Sequence, residues 1–310
     1  MNAITLQKNR KQKIVEDVEF APLEAADLAE LSEMISAMRP YSTDLVRLRD
    51  FSENYFHWMY FRNPAGRAIT WGGKHDGRLV CSFAMAPKKM HIDSQTVTIG
   101  KTMEMFTHPD YQGLGLVSQA VKKVFSEARA QGITTWYVTP SKNSYPIFLD
   151  KWGYKEPFEN HYVIKVLNLS SLLSAMMRPA WLGACAGAPL DLLLKASRLF
   201  TPLPKGYEVH EEKSFDSETD ALWERSKGNR LALVRDAAYM NWRYVDNPDS
   251  YRVLTFRRRG SLDGILVLKH TLRRGKKAGD IVDFLCPAED NDTLQAMLRH
   301  GIDRLRRDGC

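Results

Sequence analysis

The segment Thr107-His108-Pro109-Asp110-Tyr111-Gln112-Gly113-Leu114-Gly115-Leu116-Val117 constrains this chain more than any other. A strand-like run over residues 98–106 enters it, and an amphipathic helix leaves it at once. A strand that passes straight into a helix leaves the first N–H groups of that helix without intrahelical partners, all aimed one way. They sit at the positive end of the helix dipole, a ready site for a phosphate or pyrophosphate. Two glycines in the turn permit the left-handed backbone and the close ligand approach that such a cradle needs.

The flanks supply the rest of a folding unit. Residues 18–22 read as a first strand. Leu28, Leu31, Ile35 and Met38 share one face of a helix over residues 23–38, which Pro40 stops. Residues 52–61 predict a second, aromatic helix ended by Asn63-Pro64-Ala65-Gly66. Three strand runs follow, 68–75, 79–87 and 97–106, with Asp76-Gly77 as a hairpin turn between the first two. Beyond the glycine turn, Val117, Ala120, Val121, Val124 and Phe125 line one helical face up to a C-cap at Gln131-Gly132. Residues 134–139 then read as a strand, 145–151 as a short helix and 161–166 as a last strand.

The second half echoes the first. Tyr55, Trp58, Tyr60, Asn63 and Pro64 recur as Tyr239, Trp242, Tyr244, Asn247 and Pro248, all at one offset of 184 residues. Chance is a poor explanation for so many shared residues in so short a window, Trp and Pro among them. Asp76-Gly77 and Leu79-Val80 answer to Asp263-Gly264 and Leu266-Val267, and Glu104-Met105-Phe106 to Asp283-Phe284-Leu285. The matched aromatics read as core anchors, since buried rings at helical spacing usually pack. The second copy has no glycine turn; Cys286-Pro287-Ala288-Glu289-Asp290-Asn291 stands in its place. It also stops about where a further strand is due, so either the chain is cut short or the second half is a partial domain.

At 310 residues the chain suits two domains better than one. The expected division is a flexible basic tail over 1–17, a phosphate-binding domain over 18–168, an apolar helical linker over 169–205 and a partial domain over 206–310. The net charge of +7 leans towards anionic partners, whether a phosphate-rich cofactor, a nucleic acid or a membrane surface. Arg257-Arg258-Arg259 and the basic run at 273–277 fall at expected hairpin tips, where solvated loops are the plainer reading. Acidic residues are interspersed there, which disfavours nucleic acid. Cys81, Cys185, Cys286 and Cys310 form no C-x-x-C pair. That argues against a metal site and for reduced thiols in a cytosolic setting. Residues 169–199 are rich in Leu, Ala and Met, but Arg178, Asp191 and Lys195 interrupt them. Their uncharged runs fall short of the ~18–20 residues of a membrane span. A buried or interfacial helical segment is expected, with peripheral membrane contact rather than a transmembrane helix.

The order strand, helix, helix, three strands, glycine turn, helix, strand, helix, strand resembles the GNAT fold of the Gcn5-related N-acetyltransferases. The family's acetyl-CoA signature is Gln or Arg, two residues, Gly, one residue, then Gly or Ala. It is matched by Gln112-Gly113-Leu114-Gly115-Leu116-Val117, except that Val117 stands where Gly or Ala is usual. Asn143 and Gly153-Tyr154 resemble the family's second motif. The resemblance covers residues 18–166. It implies an α+β, GNAT-fold domain with a mixed, mostly antiparallel sheet flanked by helices. The internal repeat extends this to a tandem arrangement with a partial, degenerate second GNAT-like unit, a layout with precedent in Fem-type aminoacyl transferases and N-myristoyltransferases.

What the resemblance implies for chemistry is specific. The N–H groups of Gly113, Leu114, Gly115, Leu116 and Val117 would cradle the pyrophosphate of acetyl-CoA or another acyl-CoA, with Gln112 adding a donor. Phe106 and Thr107 would pair with the pantetheine amides as an added strand does, and Asn143 would fix the thioester side. Glu104, on the strand entering the turn, is the candidate base, with a solvated or ion-paired carboxylate as the equal alternative. In a regular strand it would share a face with Thr102 and Phe106. The family's frequent acid is a tyrosine at the position held here by Leu149, so Tyr145 is the nearest substitute, although a packing role suits it better. The leading expectation is an N-acetyltransferase acting by direct attack of a primary amine on a small molecule or saccharide precursor, without a metal and compatible with a homodimer. A Fem-like aminoacyl transferase on a cell-wall or polysaccharide precursor and a non-catalytic acyl-CoA sensor are the alternatives.

Overall fold

A computed structural model describes residues 12–38, 51–141, 144–156, 163–196, 204, 206–228, 231–273 and 276–310. The chain divides into two compact units. One comprises Met1–Ser141 with Asn229–Pro248, the other Lys142–Gly228 with Asp249–Cys310. These limits differ from the sequence reading in two places. The stretch around residues 229–248, expected in the second domain, belongs to the first unit, and residues 142–168 group with the second.

The first unit is built on a sheet in the order β1 (Glu19–Pro22), β2 (Ile69–His75), β3 (Arg78–Ile92), β4 (Gln95–Thr107), β5 (Trp136–Tyr137). All its neighbours are antiparallel except β4 and β5, which run parallel. The β2–β3 hairpin turns on Asp76 and Gly77, both at positive φ (50° and 75°), the conformation that a two-residue turn between right-twisted strands requires. Two helices, α1 (Leu28–Met38) and α2 (Glu53–Phe61), cover one face of the sheet. Leu28, Leu31 and Ile35 of α1 and Phe56, Trp58 and Tyr60 of α2 are almost wholly buried against Ala84 and Ala86 of β3. The small alanines let the large rings approach, and the rings supply most of the apolar burial. Ser52 caps α2 by accepting the Tyr55 N–H. On the opposite face, α3 (Leu116–Ala130) stacks Phe125 on Trp136 at 4.6 Å and ends at Gly132, φ 79°, as its sequence signalled.

A short strand β7 (Ala232–Leu233) joins the same sheet by pairing with Met90 and His91 of β3. Helix α7 (Ala237–Met240) follows and continues as a π-helical turn over Asn241–Val245. This brings the two copies of the aromatic motif together. Trp58 and Trp242 stack at 4.8 Å. The Trp58 Nε1–H donates to the Trp242 carbonyl at 2.7 Å and the Trp242 Nε1–H to the Trp58 carbonyl at 3.2 Å. The exchange is reciprocal.

The second unit contains a four-stranded antiparallel sheet in the order β10 (Lys276–Leu285), β9 (Ser261–Arg273), β8 (Arg252–Arg258), β6 (Glu208–Glu212). Helix α6 (Ser217–Ser226) follows β6, and α8 (Asn291–Arg307) follows β10. Together with α7 and its π-helical turn, this is the element order of the first unit up to α3. The register irregularities repeat as well. They fall between Gly73 and Lys74 in β2 and between Phe256 and Arg257 in β8. They recur where β4 meets β3 and where β10 meets β9. Leu266, Leu268, Ala296 and Met297 form the core beneath α8. Helices α4 (Leu169–Met176) and α5 (Ala180–Ala196) form a hairpin in the same unit.

Three expectations need correction. Residues 163–166, read as part of a last strand, have no regular structure, and Val163 and Ile164 are 98% and 79% exposed. Their β-branched side chains favour a strand, but among the described residues no strand pairs with them, and propensity alone does not make one. The strand expected over 134–139 is confined to Trp136–Tyr137. Residues 12–17, placed in a flexible tail, are helical, and Val15 packs with Val18, Val80 and Leu116.

Candidate functional site

The glycine turn between β4 and α3 is a defined structure. After β4 a single 3-10 turn, Pro109–Tyr111, is capped by the His108 ring, whose Nδ1 accepts the Asp110 N–H. Gly113 and Gly115 both sit at φ 77°, where L-residues are strained, and Gly115 is the N-cap of α3. A Cβ at either glycine would meet nothing within 4 Å. The glycines are therefore demanded by backbone conformation, and the space in front of them is open. The N–H groups of residues 113–117 have no partner among the described residues, while the next one, Ser118, bonds back to the Gly115 carbonyl. Apolar anchors fix the turn from beneath: Leu116 is buried against Val80 and Cys81, with Leu114 and Tyr111 packed beside it. The Gln112 amide, expected to face the ligand, donates instead to the Thr107 carbonyl at 3.3 Å, tying the turn to the strand end.

One edge of β4 is left open towards this turn. β4 pairs with β3 as far as Thr107, but β5 pairs only with Gly100 and Lys101. From Met103 to Thr107 the other edge has no strand neighbour among the described residues, which is the arrangement an extended, amide-bearing ligand can extend as an extra strand. Phe106 itself is buried in the α1–α2 core.

The same stretch carries a bulge that regular alternation did not foresee. Residues 103 to 106 span only Ala84 to Ser82 on β3, and Glu104 takes φ 56°. A bulge puts an extra residue on one strand and re-aims its side chains. Thr102 therefore lies on the other side of the sheet, bonded to the Tyr137 carbonyl at 3.2 Å, and does not share a face with Glu104. The Glu104 carboxylate turns to α2 instead. Its two oxygens accept the Tyr55 and Tyr60 hydroxyls, each at 2.7 Å. Burial first, and the Glu104 charge second, push the Tyr60 phenol well above its ordinary value, so it stays a proton donor at neutral pH. A left-handed backbone at a glutamate costs about 1 kcal/mol or more, and such strain gathers at functional positions.

Further along β3 the sheet holds an unexpected base. Lys88 of β3 is buried and has no acidic partner or hydrogen-bond acceptor among the described residues. Its Nζ lies 3.9 Å from the Trp242 ring centroid and 5.6 Å from that of Tyr239. Desolvation, reinforced by Lys101 and Arg243, brings its pKa down to about 6. At neutral pH the approach to Trp242 is thus a packing contact of a neutral amine rather than a cation–π bond. Nothing in the hydrophobic pattern marks Lys88, because its environment comes from the motif copy at residue 242. Burial likewise raises the Tyr137 phenol, and it lifts the Cys81 thiol to about 11, which leaves that thiol unreactive.

The remaining candidates are scattered. Asn143 lies outside the described residues. Tyr145 belongs to the second unit, where it is partly exposed and donates to the Glu156 carboxylate at 2.6 Å. Leu149 sits in the π-helical turn Ile147–Lys151, and Val117 is half-buried in the first turn of α3. Among the described residues no group of His, Cys, Asp and Glu could hold a metal ion. An open hollow of about 530 Å³ lies away from the turn, lined by Pro22, Arg67, Thr98 and Glu127 among others. Its arginine is already paired with Glu24 at 2.7 Å, and no catalytic set converges there.

Comparison with known proteins places this geometry in context. The family described as acetyltransferase (GNAT) domain matches residues 47–156. No curated protein matches the chain. A conserved protein of unknown function from Enterococcus faecalis V583, designated a probable N-acyltransferase, superposes with a TM-score of 0.59 at 12% identity over 93% of this chain and 62% of its own. The present chain thus spans about three fifths of that structure, and the likeness concerns the fold. An acetyltransferase from Trypanosoma brucei matches at 21% identity over 48% of this chain and all of its own, with a TM-score of 0.37. A predicted acetyltransferase from Clostridium acetobutylicum, solved with acetyl-CoA, matches at 17% identity over 47% of this chain and 96% of its own, with a TM-score of 0.36.

Proposed function

We propose that this chain, whose residues 47–156 match the acetyltransferase (GNAT) domain family, is an acyl-CoA-dependent N-acyltransferase, with acetyl-CoA as the donor. One observation carries the reading: a glycine-bearing helix N-terminus with five N–H groups that have no partner among the described residues, set at the end of a strand whose outer edge no described strand covers. The diphosphate of coenzyme A suits the N–H groups of residues 113–117, and its pantetheine amides suit the edge from Met103 to Thr107. Gln112 serves this site by fixing the turn.

The reaction needs a neutral amine, a polarised thioester carbonyl and a proton for the departing thiolate. The acceptor nitrogen attacks the carbonyl carbon, the new C–N bond forms as the C–S bond breaks, and the amine proton leaves to a base. Glu104 fits that role, or the lesser one of orienting the ammonium, because Tyr55 and Tyr60 hold its carboxylate in one place. The thiolate takes its proton from water. The acceptor class is a primary amine on a small molecule or saccharide precursor, in a cytoplasmic setting. The open cradle favours this reading over a Fem-like transferase, whose active unit usually degrades the glycine signature.

Gly115→Glu places a carboxylate where the diphosphate would lie and a side chain at φ 77°. Titration calorimetry with acetyl-CoA should show affinity lost by at least about a hundredfold, roughly 3 kcal/mol. A Gly115→Ala control carries the backbone strain without the charge. Wild-type affinity in the Gly115→Glu protein would remove the cradle from the mechanism.

A further inference from the structure

Helices α4 and α5 form a hairpin built inside out. Gly183 and Gly187 of α5 are buried, and a Cβ on either would run into the backbone of Leu173–Ser174 or of Leu169–Ser170. The two helices are thus held by backbone-to-backbone approach through small residues, a mode that works where no hydrophobic drive is available. The large apolar side chains point away from this seam. Met176, Trp181, Leu192 and Leu193 are 72%, 62%, 68% and 65% exposed.

The polar groups of the hairpin bond to its own backbone. Asn168 caps α4 by accepting the Ser171 N–H at 2.8 Å. Ser174 donates to the Ser170 carbonyl of its own helix. Between Leu169 and Leu194 the only charged residues are Arg178 and Asp191. Asp191 accepts the Leu169 and Ser170 N–H groups at 2.6 and 3.1 Å, so its charge is spent on the N-terminus of α4. Arg178 is exposed at the junction of the two helices, without an acidic partner among the described residues. Lys165, just ahead of α4, is exposed as well. The hairpin therefore shows its surroundings an apolar surface with positive charge only.

We propose that the α4–α5 hairpin anchors the protein in one leaflet of an anionic phospholipid bilayer, its apolar side chains reaching the boundary between headgroups and acyl chains. No described helix is long and apolar enough to cross a membrane, and α5, at 17 residues, spans roughly 25 Å along its axis. An interfacial seat needs a depth of only about 5–10 Å. The distribution of exposure favours lipid over a second copy of the chain. Trp181 and Leu192, eleven residues apart, share one side of α5, whereas Leu190, nine on from Trp181, lies opposite, and it too is exposed. A partner protein covers a stripe, while acyl chains cover whatever is apolar. The outward charge and the chain's net +7 match anionic headgroups, which attract basic residues near the membrane surface. This inference stands whether or not the chain transfers acyl groups.

The test is flotation of the full-length protein with vesicles of phosphatidylcholine, alone or mixed with phosphatidylglycerol. The wild type should float with the mixed vesicles, and Trp181 emission should shift to the blue, a change absent from Trp181→Phe. Leu192→Glu with Leu193→Glu should cut flotation at least about tenfold. Both positions are exposed, so circular dichroism and melting should stay as in the wild type. Arg178→Glu should weaken binding to the mixed vesicles. A wild type that stays unbound, or a double variant that floats as well, overturns the proposal. So does a wild-type dimer without vesicle binding that the double variant turns into a monomer.

Discussion

At Glu104 three physical facts coincide: a bulge, a positive φ and two tyrosine donors. If the carboxylate takes the amine proton, Glu104→Gln should lower kcat/KM by about 10²–10⁴ and leave acetyl-CoA affinity unchanged. Tyr60→Phe removes one donor only and should cost less than tenfold, on the order of 1 kcal/mol. Equal losses in the two variants would reduce Glu104 to a structural carboxylate. Lys88 makes a different prediction. Its folded pKa of about 6 lies below the 10.5 of the unfolded chain, so between those values the unfolded state binds the extra proton. Stability then rises with pH across that window and is flat below it. Lys88→Met should stabilise the protein by on the order of 5 kcal/mol at pH 6, and by progressively less towards pH 10. Thermal melts at both ends of the range check the sign; a gain independent of pH would mean that Lys88 is not held neutral.

Elements were legible where their signals are local. Ser52, Asp76-Gly77, Gly115 and Gln131-Gly132 marked ends and turns that the fold places within a residue or two of expectation. A cap or a tight turn is decided by the few residues that make it. Strand length was less legible, because pairing depends on partners far along the chain. β3 runs to Ile92 rather than stopping near Pro87, since both β4 and β7 pair with its far end. The α4–α5 hairpin belongs to this scale too. Gly187→Leu would force the helices apart at Ser170. It should abolish the α4 contribution to the helical circular dichroism signal, with a stability loss of about 1–3 kcal/mol. Unchanged protection of α4 amides in hydrogen exchange would contradict the close-packed seam.

For the whole molecule, the discontinuity of the first unit matters most. Residues 229–248 come after most of the second unit in sequence, yet they supply β7 to the first sheet and Trp242 to its core. A chain ending at Gly228 would leave Trp58 without its stacking partner and the Lys88 amine without its cover. Removing a large buried aromatic costs about 3–5 kcal/mol. Such a chain should melt at lower temperature and bind a hydrophobic dye, and Trp242→Ala in the full chain should reproduce much of the loss. If the shortened chain melts as the full one does, the first unit is complete without its second segment.

The sequence by itself determined what depends on neighbours in the chain: the glycine turn, the helix it starts, the hairpins and the recurrence of one aromatic motif at a fixed offset. It also told the two copies apart, since only one keeps the glycines that a phosphate cradle needs. Tertiary structure decided the rest. The bulge that turns Glu104 towards Tyr55 and Tyr60, the pairing of Trp58 with Trp242 and the isolation of Lys88 all depend on segments brought together across many residues. Periodicity records which face a residue tends to take. Only the packed chain sets which group it meets there, and burial, charge and proton affinity follow from that meeting.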